Sequence, residues 1–247
     1  MEILRILSRL LDYPTADIGN YQAEVLGLIE SAPMQDKLRQ KVMQFVKDRT
    51  AMDLLDWQAE YDGMFERGRS LGLWLFEHVH GESRDRGQAM VDLVGLYRQA
   101  GLEISQHELP DYIPLFLEFL ATQGDDNAKG WIVDMEHILA LLQVRLEKRE
   151  SDYAVLFEAL LDIAHSKVNL KEVRERIASE KRDDTKAAID KEWEEEEVTF
   201  GAESLEKSCD SAARRPSESQ RRDLDVPLNW VGFNDATEKP ASALERN

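Results

Sequence analysis

The sequence predicts an all-α protein: a single multi-helix, bundle-like domain over residues 1–200 followed by a disordered C-terminal tail, 201–247. Three observations predict it. Apolar residues recur at i, i+3, i+4 and i+7 in segment after segment up to Phe200. No run alternates apolar and polar residues as a half-buried strand would, and no internal repeat stands out. With 13 Gly and 7 Pro in 247 residues, 43% apolar and 32% charged, the chain has few breakers, enough core material and a strongly charged surface.

The elements follow in order. Ile3, Leu4, Leu7, Leu10 and Leu11 form one stripe on a helix over 2–13, which Tyr13-Pro14 ends because the residue before proline is pushed out of the helical region. Helices over 18–31 and 35–49 carry Leu26, Ile29, Leu38, Val42, Phe45 and Val46, with Pro33 between them. Leu54, Trp57, Tyr61, Met64 and Phe65 share a face over 53–66. Asp111 is suited to cap the next helix but two, with Pro114 at its third position, where a missing N–H does no harm. Leu115, Phe116, Phe119 and Leu120 form its stripe. Residues 128–149 are apolar around much of the circumference, which predicts one central helix covered on several sides. Helices over 151–165 and 170–180 follow, and Asp184 or Thr185 can cap a last one through Trp193. The acidic run Glu194–Glu197 lies on the unfavourable side of that helix's dipole and should fray it. Beyond Phe200 the period is lost and little apolar surface offsets chain entropy, VPLNWVGF (226–233) excepted.

The net charge is −18, and residues 201–247 hold nine acidic residues against seven Lys and Arg, so the ordered part carries −16. Such a body is a poor partner for nucleic acid or anionic lipid and a good one for a basic peptide. Cys209 is the one cysteine, which excludes an internal disulfide and suits a reducing compartment. No stretch approaches a membrane span. The expectation is a soluble, cytoplasmic protein without stable membrane association.

The densest stretch is 65–102. Its apolar block, Leu71 and Leu73 to Phe76, precedes Glu77, His78, His80, Glu82, Arg84, Asp85 and Arg86; Met90, Leu93, Leu96 and Tyr97 follow, and Gly101 stands where a helix would end. This reads as two helices joined by a charged corner, with Ser83 capping the second. Its charges can pair locally, as a solvated ion-pair cluster, or serve as a recognition surface on a rigid support.

Glu77 and His80 form an E-x-x-H word, half of what a di-iron bundle uses. Asp134 with His137 and Asp162 with His165 repeat the spacing with Asp. A metal-dependent helical enzyme acting through Glu77 and His80 is therefore the alternative reading. The blander one has His78 and His80 donating to neighbouring carboxylates. No phosphate-cradling glycine loop, paired C-x-x-C or nucleophile elbow occurs, so no catalytic constellation and no cofactor site is expected.

HVHGESRDRGQAMVDL (78–93) resembles the signature of the nitrate reductase molybdenum cofactor assembly chaperones, the NarJ/NarW type. These belong to the wider redox-enzyme maturation chaperones that include the TorD and DmsD types. SRLLDYP (8–14), QAEYDGMFERGR (58–69), ELPDYIPLFLEFL (108–120), ILALLQVRLEKRES (138–151) and RDDTKAAIDKEWEEEEVTF (182–200) extend the resemblance across residues 1–200. It implies an all-helical chaperone without enzyme activity. Such a protein would bind the N-terminal segment of the apo catalytic subunit of respiratory nitrate reductase. It would permit molybdenum cofactor and iron–sulfur insertion, delay membrane docking, and be absent from the final enzyme. Proteins that deliver the molybdenum cofactor are further partners the resemblance allows, and a different molybdoenzyme remains an alternative client.

By the same resemblance, Glu60 and Tyr61 match the helix before the corner. His78 through Arg86 match the signature that the TorD and DmsD types lack. Asp111 matches the acidic residue of the family's Pro-Asp-His word, while Tyr112 stands where the wider family has His. The candidate client-binding residues are thus Glu60, Tyr61, Glu77, His78, His80, Glu82, Arg84, Asp85, Arg86, Asp111 and Tyr112. The aromatic residues Trp57, Tyr61, Phe65, Trp74, Phe76, Tyr112 and Phe116 are more often core than groove, and some of them could line a slot between helices.

Overall fold

The computed structural model describes residues 1–80, 85–105 and 108–195; the side chains of His80 and of residues 192–195 are not described. The tail with its 226–233 segment, Glu82, Ser83, Arg84, His107 and the far end of the acidic run lie outside the described residues. Residues 1–195 form one compact unit.

Thirteen helices are described: α1 Glu2–Leu11, α2 Asp17–Asn20, α3 Gln22–Glu30, α4 Asp36–Ala51, α5 Leu54–Tyr61, α6 Leu75–His80, α7 Asp85–Gln99, α8 Ile113–Thr122, α9 Asp125–Asp134, α10 Glu136–Lys148, α11 Ala154–Ile163, α12 Leu170–Ile177 and α13 Lys186–Glu195. No strand occurs among the described residues; residues Trp74 and Tyr112 meet in an isolated antiparallel bridge. The expected all-α class holds.

The stripe on α1 is buried as its spacing requires, Ile3, Leu4, Leu7, Leu10 and Leu11 all lying in the core. That face packs on α8, α3 and α11. Buried Ser8 donates its hydroxyl to the Pro114 carbonyl at 2.7 Å and fixes α1 against the start of α8. The central pair is α10 and α11: α11 also packs on α4, α1 and α9, and α10 on α12, α6 and α9. Leu139, Leu142, Leu146, Leu156, Phe157 and Leu160 are wholly buried between these layers, each contributing about 1.5–3 kcal/mol by leaving water.

The 128–149 helix is two helices. The chain turns at Met135 (φ −102°, ψ 8°), and only the second half, α10, is central. Likewise the 18–31 segment divides at Tyr21 (φ −113°) into α2 and α3.

α5 continues into a π-helical turn, Asp62–Glu66. Trp57, Tyr61 and Phe65 recur every fourth residue, a spacing that drifts around an α-helix; the wider turn offsets the drift and keeps all three inside. Their exposures are 3%, 1% and 1%, and Tyr61, Phe65 and Phe45 surround the Tyr153 ring at 5.0–6.2 Å. With Phe116 also buried, the aromatic faces of α5 and α8 form core and not a slot. The core reading of these rings holds over the slot reading: burial against one another stabilises them more than exposure could.

Asp53 caps α5 through Leu55 N–H at 2.9 Å and Thr185 caps α13 through Ala188 N–H at 3.2 Å. Gly101 (φ 78°) ends α7, with Leu102 N–H donating to the Tyr97 carbonyl at 2.9 Å.

The segment between α12 and α13 is strapped to the rest by charge. Arg149 donates to Asp183 at 2.8 Å and pairs with Asp184 at 3.3 Å, while Arg145 pairs with Glu180. Asp183 also accepts from the Ser70 N–H at 2.7 Å and hydroxyl at 2.6 Å. Gly68 (φ 94°) lies under it: a methyl there would stand 2.8 Å from the Asp183 carboxyl carbon. Gly68→Ala should therefore cost about 2 kcal/mol or more, left-handed strain plus a clash with a carboxylate that cannot swing away. Urea denaturation checks it. The cost should shrink in the Asp183→Ala background, where the clash is gone; strict additivity would show that the two residues do not meet.

Candidate functional site

The corner is built where two segments touch. Residues 73–75 and 111–113 run antiparallel: Ile113 N–H donates to the Leu73 carbonyl at 2.8 Å, and Leu75 N–H to the Asp111 carbonyl at 2.9 Å. This places the Asp111 carboxylate at the start of α6, where it accepts from Phe76 N–H at 3.1 Å. Asp111 is thus an N-cap, but of a helix 35 residues earlier. Its expected place at the head of α8 is taken by Tyr112, with Pro114 at the second helical position instead of the third.

Asp111 has no exposed surface. Arg86, opening α7, reaches from Asp111 (3.8 Å) to Glu77 (3.5 Å) and ties α7 to both. One oxygen of Asp111 and the Nε of Arg86 are buried without a hydrogen-bond partner. Burial raises the Asp111 pKa; the Phe76 N–H and the Arg86 charge pull it back without cancelling the rise. Gly72 lets the chain close in, since a methyl there would meet a Glu77 oxygen at 3.1 Å and the Trp74 ring at 3.2 Å.

His78 bonds the Gly72 carbonyl at 2.8 Å. A carbonyl only accepts, so Nε2 carries the proton. The expected bond from His78 to a neighbouring carboxylate is replaced by this main-chain one. Burial pushes its pKa below 6.5; the Gly72 bond opposes this, and the charge of Arg145 adds to it. As pH falls, the unfolded chain takes up this proton first. The stability from neutral His78 is fully present above pH 6.5 and lost as pH falls through the folded value. His78→Gln keeps a donor for Gly72 and should flatten the decline of the urea midpoint as pH falls below 6.5. An unchanged slope would remove His78 as its source.

Tyr112 lies with its ring 6.0 Å from Trp74, and its hydroxyl donates to Asp12 at 3.0 Å. Tyr61 donates to the Leu11 carbonyl at 2.9 Å and lies 3.1 Å from the Tyr112 hydroxyl. Tyr112 thereby ties the corner to α1, and Tyr61 supports it from below.

Glu77, His78, Arg86, Asp111 and Tyr112 therefore come together. Tyr61 and Asp111 are too buried to touch a client directly; they hold the surface in place. Glu60 pairs with Arg49, in the last turn of α4, at 2.7 Å. Asp85 is exposed in the first turn of α7. The side chain of His80, and Glu82 and Arg84, lie outside the described residues. What the sequence reading missed on the surface is apolar: Val79 (56% exposed), Val91 (65%) and Leu109 (44%) stand on the segments of the corner. Among the described residues no three His, Cys, Asp or Glu are grouped to hold a metal, and Glu77 faces Arg86. No described helix is long and apolar enough to cross a membrane.

An acidic, all-helical body with a polar corner, and with exposed apolar side chains on the segments that form it, is the form of a binding protein. The nitrate reductase delta subunit model matches residues 31–159, a span holding every candidate residue. The chain is 48% identical over 213 residues to the nitrate reductase molybdenum cofactor assembly chaperone NarJ of Escherichia coli K12, covering 85% of this chain and 88% of that one. It is 44% identical over 236 residues to the probable chaperone NarW of the same strain, covering 95% and 98%. It is 30% identical over 155 residues to the probable NarJ of Bacillus subtilis 168, covering 63% and 84%. The chain belongs to the family of nitrate reductase molybdenum cofactor assembly chaperones. These relatives are named chaperones and not enzymes.

Proposed function

We propose that this chain is a dedicated chaperone for assembly of nitrate reductase, binding the N-terminal segment of the apo catalytic subunit at the α6–α7 corner. It holds that subunit open to molybdenum cofactor and iron–sulfur insertion, delays its docking at the membrane, and leaves before the enzyme is complete. It works in the cytoplasm, alongside proteins that deliver the molybdenum cofactor. The tail, 201–247, is not needed for the fold of the helical body.

The observation that carries the reading is family membership over nearly the whole chain, joined to a corner whose rigid support is buried and whose rim is exposed. Val79, Val91 and Leu109, with the partly exposed Trp74, Phe76 and Tyr112, supply apolar contact to one face of an amphipathic helix. The −16 body attracts its basic face. Exposed ion pairs contribute only about 0–1 kcal/mol each, so apolar contact sets most of the affinity, and charge sets association rate and discrimination.

Co-expression of the tagged chain with the catalytic subunit tests it. The intact apo subunit should co-purify, and a subunit lacking its N-terminal segment should not. Equal recovery of both forms would place recognition elsewhere on the client; recovery of neither would remove the chaperone reading.

A further inference from the structure

Residues 68–73 belong to two networks at once. Toward the strap between α12 and α13, Ser70 gives Asp183 both its N–H (2.7 Å) and its hydroxyl hydrogen (2.6 Å). The Ser70 carbonyl accepts from Arg145 at 2.7 Å, and buried Arg149 donates to the Ser70 hydroxyl at 2.7 Å and to Asp183 at 2.8 Å. Toward the corner, the Gly72 carbonyl accepts from His78 at 2.8 Å and the Leu73 carbonyl from Ile113 N–H at 2.8 Å. Between the two, Gly72 N–H returns to the Arg69 carbonyl at 3.2 Å, and Leu71 is wholly buried. Every step from Asp183 to His78 is thus a hydrogen bond or a pair of covalently linked residues.

The corner needs such a support. α6 is six residues long, too short to hold itself by its own backbone bonds, yet it carries Glu77 and exposed Val79. Asp111 fixes its first turn, and His78 anchors the next residues to Gly72. Whatever places Gly72 therefore places α6. On the strap side, Lys148 gathers the Ile177, Ala178 and Glu180 carbonyls at 3.0, 3.1 and 2.7 Å, and Asp183 is the group that reaches across to the 68–72 turn. Burial opposes its charge, but the Ser70 bonds and the Arg149 charge outweigh it and keep the carboxyl below its ordinary value, so the tie is ionic at neutral pH.

We propose that Asp183 is a positioning residue for the client corner: through the 68–72 turn it sets where α6 presents Glu77 and Val79. The role is exerted at a distance, since Asp183 bonds only the turn and Arg149. It rests on the corner reading above.

The test follows two signals in the isotope-labelled full chain, the pH titration of the His78 ring by NMR and the affinity for a synthetic peptide of the client's N-terminal segment. In Asp183→Ala the His78 ring should lose part of its burial and titrate closer to 6.5, and the peptide should bind about fivefold weaker. Asp183→Asn, which keeps one acceptor oxygen for Ser70, should fold readily and move both signals less, in the same direction. Arg49→Ala, which breaks a clasp sharing no residue with this one, should leave the His78 titration where it is. An unmoved His78 titration in both Asp183 variants, or an equal shift in Arg49→Ala, would overturn the proposal. A shifted titration with unchanged peptide affinity would uphold the tie to α6 and overturn the corner as the client site.

Discussion

Arg49→Ala should lower the unfolding free energy by about 3 kcal/mol, the low end of the cost of breaking a buried pair, seen as a lower urea midpoint at unchanged slope. Arg49 is 3% exposed yet charged. It meets Glu60 through two 2.7 Å bonds and also Asp152, and its guanidinium lies over Phe45 and Tyr153 at 5.1 and 4.7 Å. Burial works against the charge, but the Glu60 bonds and the Asp152 charge outweigh it and hold the pKa above its ordinary value. Truncation opens a void beside Tyr153, whose hydroxyl accepts from the Trp57 indole at 2.6 Å. The low end applies because Glu60 and Asp152 are 38% and 47% exposed and rehydrate. Arg49→Met, which refills the space, should recover part of the loss. A change under about 1 kcal/mol in Arg49→Ala would mean that α4, α5 and α11 are held without this clasp.

Asp111→Ala should weaken capture of the client segment by about tenfold or more while leaving most helices intact. The stability cost is about 1–2 kcal/mol, that of a lost cap, but it falls on α6, six residues long, which carries Glu77, His78 and Val79. Without the cap Phe76 N–H loses its bond to Asp111, and among the described residues Arg86 keeps its pairing with Glu77. Asp111→Asn separates the parts, since its amide oxygen still accepts from Phe76. It also removes a buried carboxylate whose raised pKa makes its contribution favourable below pH 3.8 and lost as pH rises through the folded value. The Asn variant should keep most of the capture that the Ala variant loses. Equal loss in both would shift the role of Asp111 from the cap to its charge on Arg86. Unchanged capture in Asp111→Ala would move the site off the corner.

Elements with a local cause were legible in the sequence. The α1 stripe, the Tyr13-Pro14 stop, the Gly101 end of α7 and the Thr185 cap all depend on residues within a turn of one another. Features with a distant cause were not. Asp111 beside Pro114 reads as a cap for α8, and nothing local says that its carboxylate serves a helix 35 residues back. The breaks at Met135 and Tyr21 carry neither Gly nor Pro. Two helix ends place Glu150 (φ 58°) and His165 (φ 53°) in the left-handed region without the glycine that would announce them. Arg49 had a signal: it sits three and four residues past Val46 and Phe45, on the buried stripe of α4, where a cation requires an acid from another element. In the candidate site, the charges of the 77–86 stretch drew attention, while Val79, Val91 and Leu109 passed as ordinary helix residues because exposure, unlike polarity, is set by tertiary packing.

The most direct measurement is calorimetric titration of the full chain with a synthetic peptide of the client's N-terminal segment at two ionic strengths, for the unaltered chain and for Asp111→Ala. One peptide should bind per chain, more weakly at the higher salt, with a large loss of affinity in the Asp111→Ala chain. Binding of equal strength at both salts and in the Asp111→Ala chain, or no binding at all, would contradict it.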